Sequence, residues 1–254
     1  MAQLSSAMAW LLLATVPLPA QMIVQPAGKS VPQAKTREEL DAFGIILDSG
    51  SSQAIVSAAK RFRSLFPKSE FYEYACVAEM QAAMDLSDTR LAEETASVIL
   101  GANSNNPEAH LTLAEVNLAG FGTGTGVDAA QAEHAFEHAR AALDRLHTLS
   151  LPPLSDSHTW LRTKRSMMAR AHVALAKVAI RQGQTETAET ELRSAIDLAP
   201  SSKAFLLLSQ IYTQTHRESQ ALVAAKKAQS LATAALADKV DKEIKIPERA
   251  EVLR

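Results

Sequence analysis

Three groups of residues in this 254-residue chain have types and spacings that could do chemistry. The first is the run Gly120-Phe121-Gly122-Thr123-Gly124-Thr125-Gly126, whose continuation Gly124-Thr125-Gly126-Val127-Asp128-Ala129 spells a dinucleotide-binding fingerprint. The second is His134 and His138, one helical turn apart with Glu133 and Glu137 beside them. Two imidazoles at that spacing can share a metal ion. The third is the lone thiol of Cys76.

None of the three survives its context. A dinucleotide fingerprint needs a strand before it, and here the helical stretch PEAHLTLAEVNLAG precedes the glycines. No Gly-Lys-Ser/Thr follows, so a Walker loop fails as well, and a flexible inter-helix loop is the reading kept. The histidines have no third ligand, and the HExxH order is absent. Both fall on the side of their helix away from Ala132, Phe136 and Ala139, the predicted buried face, so a solvated face accounts for them. Cys76 precedes the apolar pair Val77-Ala78 and reads as a small buried hydrophobe. No GxSxG, kinase or paired-carboxylate signature occurs. The expectation is a non-enzyme without cofactor or metal.

The elements that carry these residues are helical. After Thr36 the apolar residues recur at helical spacing, broken by short polar turns. The clearest segment is ARAHVALAKVAIRQGQTETAETELRSAIDLAPSS, residues 169–202. Leu175, Ala176 and Ala179 line a first helix, Gly183 turns the chain, and Ala188, Leu192 and Ala195 line a second helix that Pro200 ends. The same order recurs with Phe205, Leu208 and Tyr212 before Ala221, Ala225 and Ala228, and Ala188 to Ala221 is 33 positions. Upstream, Leu113-Ala114 pairs with Ala132, Phe136 and Ala139, and Val77-Ala78 with Ala92 and Ala96. Residues 36–69 match at Gly50 and Pro67.

This pattern resembles the tetratricopeptide repeat (TPR), a helix-turn-helix unit with small residues where its two helices cross and a proline after the second. The resemblance covers most of residues 36–234 and implies an all-α fold, a right-handed superhelical solenoid of about five units near 36–69, 71–104, 107–147, 169–201 and 202–234. One such unit cannot bury its own apolar face, so stacking must supply the core. Residues 235–254, polar and charged, read as a capping helix and tail.

Two segments depart from the repeat. From Ala114 to Ala132 is 18 positions, against 12 from Ala176 to Ala188, and the excess lies in the glycine run. Between Leu146 and Met168, Pro152-Pro153 stops one helix, and Ser155 or Asp156 can cap the next. That next helix is expected to continue into the Ala169 unit, with a basic character from Arg162, Lys164, Arg165 and Arg170 and with Trp160 as a structural residue.

In the resembled family the first helices line a concave groove that reads a peptide or protein. Carried over, the groove positions are Glu108, Leu111, Glu115 and Leu118 in the third unit. They are Arg170, Val173, Lys177 and Ile180 in the fourth, and Lys203, Leu206, Gln210 and Thr213 in the fifth. This mixture suits a segment of alternating apolar and charged side chains. It lacks the family's two-carboxylate clamp, because Leu111, Thr112 and Glu115 stand where that clamp needs Lys and Asn.

Composition agrees with a binding module. A hydrophobic fraction of 47% supports a folded core, and 26 basic against 28 acidic residues give no concentrated charge for nucleic acid. One cysteine excludes an intrachain disulfide framework. Residues 7–20, AMAWLLLATVPLPA, form an uncharged run too short to span a bilayer, which needs about 20 residues. They read as a secretory signal peptide over 1–20 with a linker over 21–35, which implies a periplasmic or secreted protein with no stable membrane anchor after cleavage. The stretch RFRSLFPKSEFYEYACVAEM is similar to bacterial envelope-assembly repeat proteins, including the barrel-assembly lipoproteins, without their lipid-bearing cysteine. The sequence therefore predicts an envelope scaffold binding a peptide or protein. A passive structural subunit of an envelope assembly or secretion complex is the alternative.

Overall fold

The computed structural model describes residues 32–120, 128–151 and 156–251, with side chains through residue 237. The signal segment 1–20, most of the linker and all but Gly120 of the glycine run lie outside the described residues, as do Pro152, Pro153 and Ser155. Ten helices are described: α1 Arg37–Asp48, α2 Ser52–Leu65, α3 Tyr72–Asp85, α4 Thr89–Ala102, α5 Pro107–Asn117, α6 Ala129–Thr148, α7 Ser157–Arg181, α8 Thr185–Leu198, α9 Ser202–Gln214 and α10 Glu218–Glu251. No strand occurs among the described residues, and none of their helices is long and apolar enough to cross a membrane.

The helix starts are written in the sequence. Thr36, Ser51, Asp88, Asn106, Asp128, Asp156 and Ser201 each accept a hydrogen bond from the backbone N–H three residues on. Such caps contribute about 1 kcal/mol each. Asp128 goes further, because Gln131 reaches back to its N–H and closes a capping box. Pro107 occupies the first turn of α5, where its missing N–H costs nothing.

Three inter-helix turns share one hydrogen-bond pattern. The N–H of Asp88, Gln184 and Arg217 donates to the carbonyl five residues back, at 2.9, 2.8 and 2.8 Å. The N–H of the preceding residue donates three back in each case, from Ser87, Gly183 and His216. This is the Schellman arrangement, which needs a left-handed residue at its centre. Gly183 supplies it freely at φ 72°, whereas Ser87 at 59° and His216 at 57° adopt it against their Cβ atoms. The repeat is thus present in backbone geometry where side-chain identity has drifted.

The chain divides into two compact units, Met1–Met167 and Met168–Arg254, with the boundary inside α7. Within the first unit each of α1 to α5 packs on the next, and α1 also touches α3, as α3 touches α5. Contacts between alternate helices put first helix beside first helix, the arrangement in which stacking builds the core. Phe43, Phe62 and Phe71 anchor one end, the Phe43 and Phe71 rings stacking at 4.6 Å between centroids. A second cluster gathers Cys76, Val77, Met80, Ala96, Ile99, Ala109 and Leu113 from α3, α4 and α5. A polar contact sits beside it. Glu73 Oε1 accepts from Asn103 and Asn106 at 2.7 and 2.9 Å, tying α3 to the α4–α5 turn.

In the second unit α8 packs on α9 and α9 on α10. Ala188, Leu192 and Ala195 of α8 are buried, as are Ala204, Leu207, Leu208, Ile211 and Tyr212 of α9. Glu189 closes this unit from outside. It accepts from Arg217 and pairs with Arg193 at 2.7 Å, and the Arg217 guanidinium lies 4.4 Å from the Tyr212 ring centroid.

Two sequence expectations are corrected here. Phe136 is 41% exposed, and Ala135 takes the buried place beside Ala132 and Ala139. With Ala132, Ala135, Ala139 and Ala142 all inside, the contact face of α6 is a stripe of methyl groups that a phenyl ring would hold off its neighbour. No separate capping helix begins near 235, because α10 runs unbroken from Glu218 to Glu251.

Candidate functional site

The predicted groove residues of the second unit lie on α7 and α9. Lys203, Leu206, Gln210 and Thr213 of α9 are all exposed, and their spacing puts them on one side of the helix, opposite Leu207, Leu208 and Ile211. Ser201 caps the start of this helix and the His216 turn ends it, so the four side chains stand on a fixed rod. Leu206 is 52% exposed between polar neighbours, an apolar tip that the fold does not use for its own core. On α7, Arg170, Lys177 and Ile180 are half-buried and Val173 is buried. His172, between them in sequence, donates Nδ1–H to Glu191 Oε2 at 2.6 Å and fixes α7 to α8.

The third-unit positions behave differently. Glu108, Leu111 and Leu118 are 4%, 0% and 1% exposed, and only Glu115 is half-buried. Carried-over numbering treats every first helix as open on one face, but α5 is enclosed by α3, α4 and α6. Leu111 and Leu118 are core residues of the first unit rather than groove residues.

The histidine pair also differs from expectation. His134 is exposed, but His138 is half-buried and its Nδ1 lies 3.0 Å from Nδ1 of His110 on α5. His110 Nε2 lies 3.1 Å from the carbonyl of Ser104, which can only accept. In the neutral rings His110 therefore carries its proton on Nε2 and accepts at Nδ1 from His138. Burial lowers the pKa of both rings, with His110 adding to the lowering at His138. The arrangement is an inter-helix hydrogen bond. Among the described residues no group of three or more His, Cys, Asp or Glu could hold a metal ion.

Cys76 is 1% exposed, and burial pushes its thiol up to about 11. A thiol held protonated at neutral pH is a poor nucleophile. Trp160 is buried at the start of α7, and Asp156 caps that helix.

Paired helices, stacked alternate helices and three identical turns describe a repeat architecture, and solved structures share it. The MamA RS-1 ArsTM double mutant superimposes with a TM-score of 0.54 at 16% identity, over 80% of this chain and 98% of that one. A crystal structure of MamA protein gives 0.51 at 15% identity, over 76% and 90%. The fold is TPR-like. A thermophilic TPR protein of Thermus thermophilus, TTC0263, also matches, at a TM-score of 0.48 and 18% identity over 81% of this chain and 93% of that one. No family model matches the sequence, and no curated protein is similar enough to count as a relative.

Sequence reasoning missed several polar anchors of this TPR-like chain. The Arg63 guanidinium on α2 pairs with Glu79 of α3, whose side chain is fully buried, and Glu189 binds two arginines. Glu79 sits inside the apolar run of α3, a local signal of a buried charge that needs a partner. The Glu189–Arg217 pair spans 28 residues and has no local signal.

Proposed function

We propose that this TPR-like chain is a non-enzymatic scaffold that binds a protein or peptide segment on the second unit. Arg170, Lys177 and Ile180 of α7 and Lys203, Leu206, Gln210 and Thr213 of α9 supply the contacts. The observation that carries this reading is the exposed face of α9, where a rigid helix presents Leu206 beside Lys203. A half-open leucine rimmed by cationic and amide side chains suits an acidic segment with spaced apolar residues. Nucleic acid and small-molecule chemistry receive no comparable support from this face.

We place the protein in the bacterial envelope on the strength of residues 7–20 as an export signal, with a soluble mature chain. Fusing the N-terminal segment to a reporter tests this, and a reporter that stays in the cytoplasm overturns it. Charge reversal at the exposed Lys203 tests the groove: partner capture should be lost while the thermal midpoint stays unchanged.

A second reading rests on α10. Leu222 and Val223 are 57% and 69% exposed there, a surface that a structural subunit would bury in a larger complex. In that case truncating Leu222 and Val223 disrupts assembly, and the charge reversal is silent.

A further inference from the structure

The second unit ends on a helix that outruns its neighbour. α10 has 34 residues, from Glu218 to Glu251, whereas α9, on which it packs, has 13. At 1.5 Å per residue the two are about 51 and about 20 Å long. Ala221, Ala224 and Ala228 are buried, but every residue from 232 to 237 is exposed. A stack of repeats needs a polar outer face on its last unit to stay soluble. Here the last helix shows Leu222, Val223 and Leu236 at 57%, 69% and 64% exposure.

The exposed side has the spacing of a helix that pairs with another. Leu222, Ala225, Gln229, Ala232 and Leu236 alternate steps of three and four residues, and all but the half-buried Ala225 are exposed. The stretch 232–246, before Pro247, also has the length of a repeat helix, since α4 and α8 have 14 residues each. A helix of that length with no neighbour is marginal in water. The chain therefore carries one surplus helix length and one uncovered end. Charge names the occupant. Residues 218–231 hold Glu218, Lys226 and Lys227 and are net positive, whereas 232–251 hold five acidic and four basic residues and are net negative. Two copies laid antiparallel set each half beside the opposite sign, and a parallel pair sets each half beside its own.

We infer that two copies of this chain join through α10 as an antiparallel pair, each donating residues 232–246 as the helix that caps the other's second unit. The exchange is reciprocal, so it closes at two copies. In the register that lays 232–246 of one copy over 218–232 of the other, position 232 meets itself on the two-fold axis, where the small Ala232 permits close approach. Position 238, an aspartate, then falls opposite Lys226, and Leu236 falls over the small-residue stretch from Ala225 to Ala228. The pairing gives the exposed α10 surface one partner, a second copy of this chain. It uses no residue of the α9 face and stands whether or not that face binds a segment.

Sedimentation of the full chain tests this. At about 50 μM the mass should be twice the 27.3 kDa of one chain. Leu236→Asp, at an exposed position, should give the single-chain mass with an unchanged circular dichroism spectrum. Lys226→Asp and Asp238→Lys should each weaken the pair about tenfold, and the two together should restore it. Oxidation should join Ala232→Cys chains to one another and leave Leu236→Cys chains apart, because only position 232 lies on the axis; the native Cys76 is 1% exposed and takes no part. Lys203→Glu, which probes the α9 face, should leave the mass unchanged. A single-chain mass at that concentration overturns the inference, whether or not α10 then captures a different protein. So does a pair that Leu236→Asp leaves intact, a double charge exchange that restores nothing, or ready self-joining of Leu236→Cys, which marks a parallel pair.

Discussion

Truncating two leucines one helix apart separates what the fold buries from what it displays. Leu192 of α8 is 0% exposed and lies between Ala188 and Ala195, which already have the smallest side chains that can pack there. Leu192→Ala leaves a hole that α8 cannot close by collapsing further, so the cost falls in the range of about 2–5 kcal/mol. Leu206 of α9 is 52% exposed, so truncation returns little area to water and costs less than about 1 kcal/mol. For a unit of this size about 1 kcal/mol moves the melting midpoint by about 4–8 °C. Far-UV circular dichroism should therefore show Leu192→Ala melting at least about 8 °C lower, and Leu206→Ala shifted by less than that. Only Leu206→Ala should weaken partner capture without loss of fold. Equal midpoint losses would mean that the α9 face is core in solution, and the proposed groove would lose its basis.

Further outcomes follow from the polar anchors and turns. Both rings of the His110–His138 pair titrate below the ordinary value of 6.5, so the unfolded chain binds protons more readily than the folded one. Stability should be fully present above pH about 6.5 and fall as the pH drops below it. His138→Gln should flatten that slope in urea denaturation followed against pH. Arg63→Ala strands the buried Glu79 charge and should cost about 3 kcal/mol by denaturant unfolding. Ser87→Gly and His216→Gly relieve a left-handed backbone and should each stabilise by about 0.5–1 kcal/mol, whereas Gly183→Ala should destabilise by about 1 kcal/mol. The Cys76 thiol should resist a thiol-reactive dye in the native protein and react promptly in urea.

The helices and their pairing were legible because a small-large alternation at helical spacing survives in Leu175-Ala176, Ala188, Leu192 and Ala195, all of them buried. Caps such as Ser201 and Asp156 are local, and local chemistry reads directly from neighbouring letters. Phe136 misled for the same reason that the repeat was visible. Its position in the pattern suggests burial, but a helix face crowded with alanines excludes a ring in favour of Ala135. The exposed positions on α9 could be found from register alone, because one side of that helix stays open. Those on α5 could not, since enclosure by three helices is a property of the stack and not of the segment. His138 meeting His110 and Arg217 meeting Glu189 both depend on partners far away in the chain. Nothing in the local sequence marks them.

The most direct test of the proposed scaffold is site-specific photo-crosslinking in the cells that naturally make the protein. A photoreactive residue would replace Leu206 on the α9 face, with Arg193 on α8 as the control position. One dominant covalent partner from position 206, absent from 193 and lost on Lys203→Glu, is the predicted result. Equal labelling from both positions, or none from 206 in correctly folded protein, would contradict a binding face on the second unit.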